Sequence, residues 1–126
     1  MKSINKKRER LAQECRDRLL ALKSELINRV REQKKAFSTR PQLTGDEADQ
    51  TFSIIEEQNL LISQERTQKL LLEIDGALER IVRGTFGICE ETEEFIEADR
   101  LRLIPWTRLS IEGAEIRDAR KKFYAK

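Results

Sequence analysis

Residues 76–92 read GALERIVRGTFGICEET, and the fold is decided by how this stretch divides. Leu78, Ile81 and Val82 close a helical pattern, and Gly84 follows it. Glycine takes a positive φ without a Cβ penalty, so Gly84 is expected as a helix C-terminal cap and Gly87 within a tight turn. Cys89 stands just after that turn, where a zinc knuckle sets its first ligand. A zinc ribbon would continue as Cys-x-x-Cys, with a second such pair about 15–20 residues further on. Position 92 is threonine, so the motif breaks at its second ligand.

Upstream, the chain reads as two long helices. Between Ser3 and Phe37 there is neither Gly nor Pro, and apolar residues fall at Leu11, Cys15, Leu19, Leu22, Leu26 and Val30. The gaps of four, four, three, four and four make one narrow stripe of near-heptad spacing, as in a coiled-coil seam. Cys15 lies on that stripe as a small hydrophobe. Residues 38–45, STRPQLTG, interrupt the helix, since Pro41 biases Arg40 away from the helical region. Thr44 with Glu47 three residues on is a capping-box pattern, which starts the second helix near Gly45. That helix runs to about Val82, with Phe52, Ile55, Leu60, Ile62, Leu70, Ile74, Leu78 and Ile81 on its apolar stripe. Ile54, Leu61, Leu71 and Leu72 broaden the stripe and suggest contacts beyond one partner helix. Two such helices joined by a short loop are expected to pack antiparallel, as an arm about 50 Å long with its tip near residues 37–52.

Downstream, Phe95, Ile96, Leu101, Leu103 and Ile104 alternate loosely, as a short hairpin would, and Pro105 ends the run. Residues 107–124 read as a final helix carrying Leu109, Ile111, Ile116, Ala119 and Phe123. Trp106 is expected to anchor the core of this lobe. The expected division is an arm over 1–84 and a lobe over 85–126.

Charged and hydrophobic residues each make up 38% of the chain, lean for a compact globule but normal for a coiled coil that buries only a seam. The net charge of +2 hides strong blocks. Residues 1–10 carry five Lys/Arg against Glu9, residues 46–65 carry six carboxylates and no cation, and residues 86–99 carry six more. A chain blocked in this way has faces that pair internally or meet a partner of opposite sign. With no apolar run in residues 1–10, no 18-residue apolar stretch and only two cysteines, 74 residues apart, a cytoplasmic protein with reduced thiols and no membrane contact is expected. Histidine is absent, which removes the commonest general base and metal ligand. No phosphate-cradling loop and no nucleophile with a base is visible, so the reading is not an enzyme. No helix-turn-helix or aromatic-basic surface supports sequence-specific DNA binding.

The segment KLLLEIDGALERIVRGTFGIC, residues 69–89, resembles the DksA/TraR family of bacterial RNA polymerase regulators, whose members show a similar helix followed by a D/G-T-F-G-x-C turn. The resemblance extends over roughly residues 10–126. It implies a mainly α fold: a long antiparallel helical-hairpin coiled coil with a small zinc-finger-like base lobe and a C-terminal helix. The family carries Asp-x-x-Asp-x-Ala at the loop-to-helix junction, and Asp46, Asp49 and Thr51 occupy that place here, with threonine replacing the alanine. By the resemblance this tip enters the secondary channel of RNA polymerase and acts near its active site. Without it, the same aspartates read as first-turn carboxylates that suit the helix dipole.

The departures are specific. Cys89 is the remnant ligand, and Thr92, Ser110 and Gly113 stand where the resemblance places the other three cysteines. One thiolate does not make a tetrahedral structural site, so a metal-free lobe and no cofactor are expected. Where the resemblance implies cationic contacts to guanosine tetraphosphate, this chain has Glu73, Ile104 and Ala114, so little synergy with that stress nucleotide of the stringent response is expected. Arg66, Lys69 and Arg100 remain as candidate polymerase contacts. The expected function is a monomeric transcription regulator that binds RNA polymerase. The alternative is a structural coiled-coil adaptor whose tip aspartates are only caps.

Overall fold

The structure, a computed structural model, describes residues 2–39 and 46–124, with side chains from Lys6 onward. Four helices follow in chain order: α1 (Lys2–Thr39), α2 (Glu47–Arg83), α3 (Ala98–Leu103) and α4 (Ile111–Tyr124). The fold is mainly α, with α1 and α2 forming the expected long hairpin and α4 the C-terminal helix. Contacts divide the chain into a terminal unit, Met1–Ala21 with Glu73–Lys126, and a middle unit, Leu22–Leu72. Among the described residues, no helix is long and apolar enough to cross a membrane.

In the terminal unit the α1 stripe is buried where its spacing places it. Leu11 and Cys15 pack with Cys89, Ile96 and Leu101 into one cluster, backed by Phe86, Ala98 and Leu109. Leu19, Ile74 and Ala77 are fully buried as well. Burying one Leu or Ile side chain is worth about 1.5–3 kcal/mol, so these side chains outweigh any exposed ion pair nearby. Cys15 is wholly buried and donates its thiol to the Leu101 carbonyl at 3.6 Å, a packing role. Burial, and then the neighbouring Glu14 carboxylate, push its pKa up, which keeps it a thiol.

α2 ends as its glycine demands. Gly84 takes φ +80°, its N–H donates to Ile81 O at 3.2 Å, and Thr85 N–H donates to Arg80 O at 2.9 Å, the paired bonds of a Schellman cap. Gly87 takes φ +83° in the turn before Cys89.

The lobe beyond Cys89 corrects three expectations. The hairpin lies earlier than expected: Ile88 and Phe95 form one antiparallel bridge, and residues 98–103 are helical, not extended. The final helix begins at Ile111 rather than 107, because Thr107 closes a turn onto Ile104 O at 3.0 Å and Ser110 then caps the helix. Leu109 therefore lies before the helix, and Ile111, Ile116 and Phe123 within it are exposed. Trp106 is only half-buried and lies outside the core cluster, whose place is filled by Cys89, Ile96 and Leu101.

In the middle unit, Leu26 is buried and Leu22, Val30 and Phe37 are half-buried on α1. On α2 the half-buried positions of this unit are Ser53, Leu60, Ser63, Gln64, Thr67, the expected Leu70, and Leu71, and Ile74, Leu78 and Ile81 follow along the helix. Steps of seven, four and three among them fit a heptad register. Phe52, Ile55 and Ile62, expected on the seam, are instead 57%, 49% and 49% exposed. The polar residues at 53, 64 and 67 hid the true register from a reading of apolar spacing. The loop at 40–45, including Pro41, and the Thr44 capping box lie outside the described residues.

Candidate functional site

The Asp46–Thr51 segment is the N-terminal turn of α2. Asp46 precedes the first helical residue, Glu47, so the helix starts two residues later than the expected Gly45. The Asp46 carboxylate accepts the Asp49 backbone N–H at 3.1 Å, and its carbonyl accepts Gln50 N–H at 3.2 Å. Asp46 is therefore the N-cap residue, satisfying a donor that the helix itself leaves open. Asp49 sits one turn in, and both aspartates are exposed. Thr51 turns its hydroxyl back onto Glu47 O at 2.8 Å, which uses its donor within the helix. The result is two exposed carboxylates at a positive helix end, one of them fixed as the cap.

The four positions around the broken knuckle converge in space. Cys89 N–H donates to Glu94 O at 2.8 Å and Glu93 N–H to Cys89 O at 2.9 Å, closing a tight loop in which Glu93 takes φ +60°. The Cys89 sulfur, 1% exposed, accepts the Ser110 hydroxyl at 3.4 Å. Ser110 in turn accepts Gly113 N–H at 3.0 Å, so one hydroxyl both caps α4 and holds the sulfur. A Cβ on Gly113 would lie 2.4 Å from that sulfur, so glycine is what lets the first turn of α4 close on Cys89. Burial of the sulfur acts to raise its pKa. Hydrogen bonds from the side chains of Ser110 and Thr92, then from their backbones, outweigh it and bring the thiol down to about 6.

The donor set does not fit zinc. It offers one sulfur, two hydroxyls already engaged with that sulfur, and a glycine with no donor atom, against the four ligands a structural zinc site takes. Among the described residues no group of three or more His, Cys, Asp or Glu is placed to hold a metal.

A second cluster lies on the same unit. Arg108 donates to Glu73 at 3.1 Å and to Glu90 at 3.1 Å. Gly76 makes room for it, since a Cβ there would sit 3.1 Å from the Arg108 guanidinium. Burial and then the charge of Arg108 lower the pKa of Arg80, which donates to Trp106 O at 3.3 Å. Glu91, its side chain 12% exposed, pairs with Arg117 at 2.9 Å and Arg120 at 3.3 Å, and the Arg117 hydrogen bond holds its carboxyl low. Glu73 is thus an ion-paired side chain, not an isolated repulsive charge. No spacing rule in the sequence couples 73 to 108. The mid-helix glycine at 76 was the one available signal.

The candidate contacts separate. Arg100 donates through Nε to Leu109 O at 2.8 Å and braces the loop before α4. Arg66 and Lys69 are exposed on α2 of the middle unit. Ile104 is half-buried at the end of α3, and Ala114 is half-buried in the first turn of α4.

Residues 84–119 match the family model described as the prokaryotic dksA/traR C4-type zinc finger. The chain is 32% identical over 109 residues to the RNA polymerase-binding transcription factor DksA of Caulobacter vibrioides, covering 86% of this chain and 77% of that relative. Among solved structures it is similar to the transcription factor DksA2 of Pseudomonas aeruginosa, with a TM-score of 0.78, 38% identity, and coverage of 89% of this chain and 86% of that one. An RNA polymerase binding protein and transcriptional regulator of Chlamydia trachomatis matches with a TM-score of 0.51 at 23% identity over 86% of this chain and 87% of that one, which speaks to the fold alone.

Proposed function

Since this chain belongs to the DksA/TraR family, we propose that it is a non-catalytic transcription regulator that binds bacterial RNA polymerase through the secondary channel, with Asp46 and Asp49 acting near the active site. The observation that carries this reading is the Asp46–Asp49 pair. Asp46 caps α2 by accepting the Asp49 N–H at 3.1 Å, and both aspartates are exposed at the start of the helix. Carboxylates so placed are suited to act where a polymerase holds magnesium. In this reading residues 1–84 form the arm and 85–126 the lobe, the protein acts as a monomer in the cytoplasm, and it makes no sequence-specific DNA contacts. Arg66 and Lys69, both exposed, are the contacts most available to polymerase.

The cap itself supports a second reading, a structural coiled-coil adaptor in which the aspartates serve only the helix. Asp46→Asn separates the two, because asparagine caps about as well as aspartate. The experiment is binding to core RNA polymerase together with transcription from a responsive promoter. Under the regulator reading the wild-type protein binds polymerase, and Asp46→Asn loses the transcriptional effect while keeping its helix content. A wild-type protein that fails to bind polymerase leaves the adaptor reading.

A further inference from the structure

Two hollows in the terminal unit flank the start of α1. The first, about 750 Å³, has an apolar wall of Ile81, Phe86, Ile88 and Phe95 and takes Lys6 and Glu9 from α1. The second, about 520 Å³, takes Lys7 and Glu14 from α1 and Arg102 from α3, over Leu11 and Ala98. Arg8 and Arg10 line both hollows and form the ridge between them. Ligand pockets have volumes of this order and pair an apolar wall with a few placed polar groups.

The wall of the first hollow is open, with Ile88 40% and Phe95 53% exposed. Arg8 is fixed beside it. Its guanidinium lies 4.4 Å from the Phe95 ring centroid and donates to Ile96 O at 3.0 Å. That bond uses one arm of the guanidinium fork and leaves its other donors for an anion. The basic run KKRER, residues 6–10, is remote from Phe95 in the sequence, and only the fold sets an aromatic ring among these cations.

Charge and shape together name the ligand class. The two hollows are lined by Lys6, Lys7, Arg8, Arg10 and Arg102 against two carboxylates, and one of these, Glu14, is paired with Arg102 at 3.6 Å. Glu93 and Glu94, next to Phe95 in the chain, line neither hollow. A concentration of cations attracts a ligand of repeated negative charge. An exposed ring set among cations takes flat aromatic groups by stacking. Repeated phosphates joined to flat bases that are not locked in a duplex are the chemistry of a single-stranded polynucleotide.

We propose that this face of the terminal unit binds single-stranded nucleic acid, DNA or RNA, without sequence preference. Phosphates follow Lys6 and the Arg8–Arg10 ridge, and a base enters the first hollow to stack on Phe95. Contact through phosphates and base faces, not base edges, carries no sequence information. The site goes beyond the polymerase reading and is independent of it.

The test is fluorescence anisotropy of labelled oligo-dT and oligo-U, about 12 nucleotides long, with the whole protein at low salt. Both bind, and log Kd rises linearly with log salt. Lys6→Gln with Arg10→Gln, two exposed cations, weakens binding about tenfold and flattens the salt slope by about 1.4, at about 0.7 for each phosphate contact of a single strand. Phe95→Leu keeps the wall apolar, removes the ring, and weakens binding about tenfold at an unchanged slope. Lys121→Gln with Lys122→Gln, the same charge change on α4 outside both hollows, leaves affinity close to wild type. A duplex of equal length binds more weakly, because its bases are already stacked within it. If Phe95→Leu lowers the melting temperature, the Lys6 and Arg10 variant and the duplex comparison decide. Absence of binding at low salt overturns the proposal, as does wild-type affinity in the Lys6 and Arg10 variant, an equal loss in the α4 variant, or equal affinity for the duplex. A protein that ignores both oligonucleotides and takes up dodecyl phosphate by calorimetry makes the hollow a site for an apolar anion and overturns the proposal.

Discussion

Ser110 donates its hydroxyl to the Cys89 sulfur at 3.4 Å while accepting the Gly113 N–H at 3.0 Å, so one hydroxyl links Gly113 to Cys89. This relationship ties the start of α4 to the knuckle turn by hydrogen bonds, beside the core of Cys89, Ile96 and Leu101.

The folded lobe is therefore expected to be independent of zinc. Purified protein should carry no stoichiometric zinc by elemental analysis, and a strong chelator should leave its melting temperature unchanged. A lobe that unfolds on chelation would show that other groups bind metal.

Stability should depend on pH through Cys89. Its folded pKa of about 6 lies below the ordinary thiol value of 9.0, so the unfolded chain binds more protons between these limits. The contribution is complete above about 9, falls as the pH drops, and is lost once the pH passes below about 6. Ser110→Ala removes a donor to the thiolate and the cap of α4. It should cost about 0.5–2 kcal/mol from the cap alone and shrink the pH dependence. Denaturant unfolding across this pH range, with thiolate absorbance read in parallel, checks both.

Gly113→Ala should destabilise the lobe, because the new Cβ would meet the Cys89 sulfur at 2.4 Å. Overpacking of this kind costs about 1–3 kcal/mol. Combining it with Cys89→Ala should recover part of that loss in a double-mutant cycle. Additive costs would show that the clash is relieved elsewhere.

Asp49→Asn should leave helix content and polymerase affinity close to wild type, since Asp49 contributes its backbone N–H, not its carboxylate, to the Asp46 cap. Transcription from a sensitive promoter should lose most of its response. If affinity falls in step with activity, the tip sets binding and not only effect.

Guanosine tetraphosphate should add little to the effect on transcription. Glu73, Ile104 and Ala114 bring no cation, and Arg108 is engaged by Glu73 and Glu90. With partners 39–43% exposed, the Glu73–Arg108 pair is worth at most about 1 kcal/mol, so Glu73→Lys is tolerated and releases Arg108 from one acceptor. Nucleotide titration at half-saturating protein, with polymerase lacking its other nucleotide site, should be flat for the wild type and synergistic for Glu73→Lys. Strong synergy in the wild type would refute the charge argument.

Much of this protein was legible in its sequence because it depends on local rules. The helix stop at Gly84 and the turn at Gly87 follow from positive φ. The α1 seam follows from near-heptad spacing, and the burial of Cys15 follows from its place on that seam. The aspartates at the start of α2 also announced a helix end, and Asp46 caps it. Tertiary structure alone decided the rest. The α2 register was hidden by Ser53, Gln64 and Thr67, because a seam tolerates polar residues that a hydrophobicity pattern omits. The residues 98–103 are helix rather than strand, and Leu101 on that helix is buried in the core around Cys89. Arg108 reaches Glu73 across 35 positions, and Ser110 reaches Cys89 across 21. Contacts at such separations depend on where packed helices bring distant side chains, and no local periodicity records them.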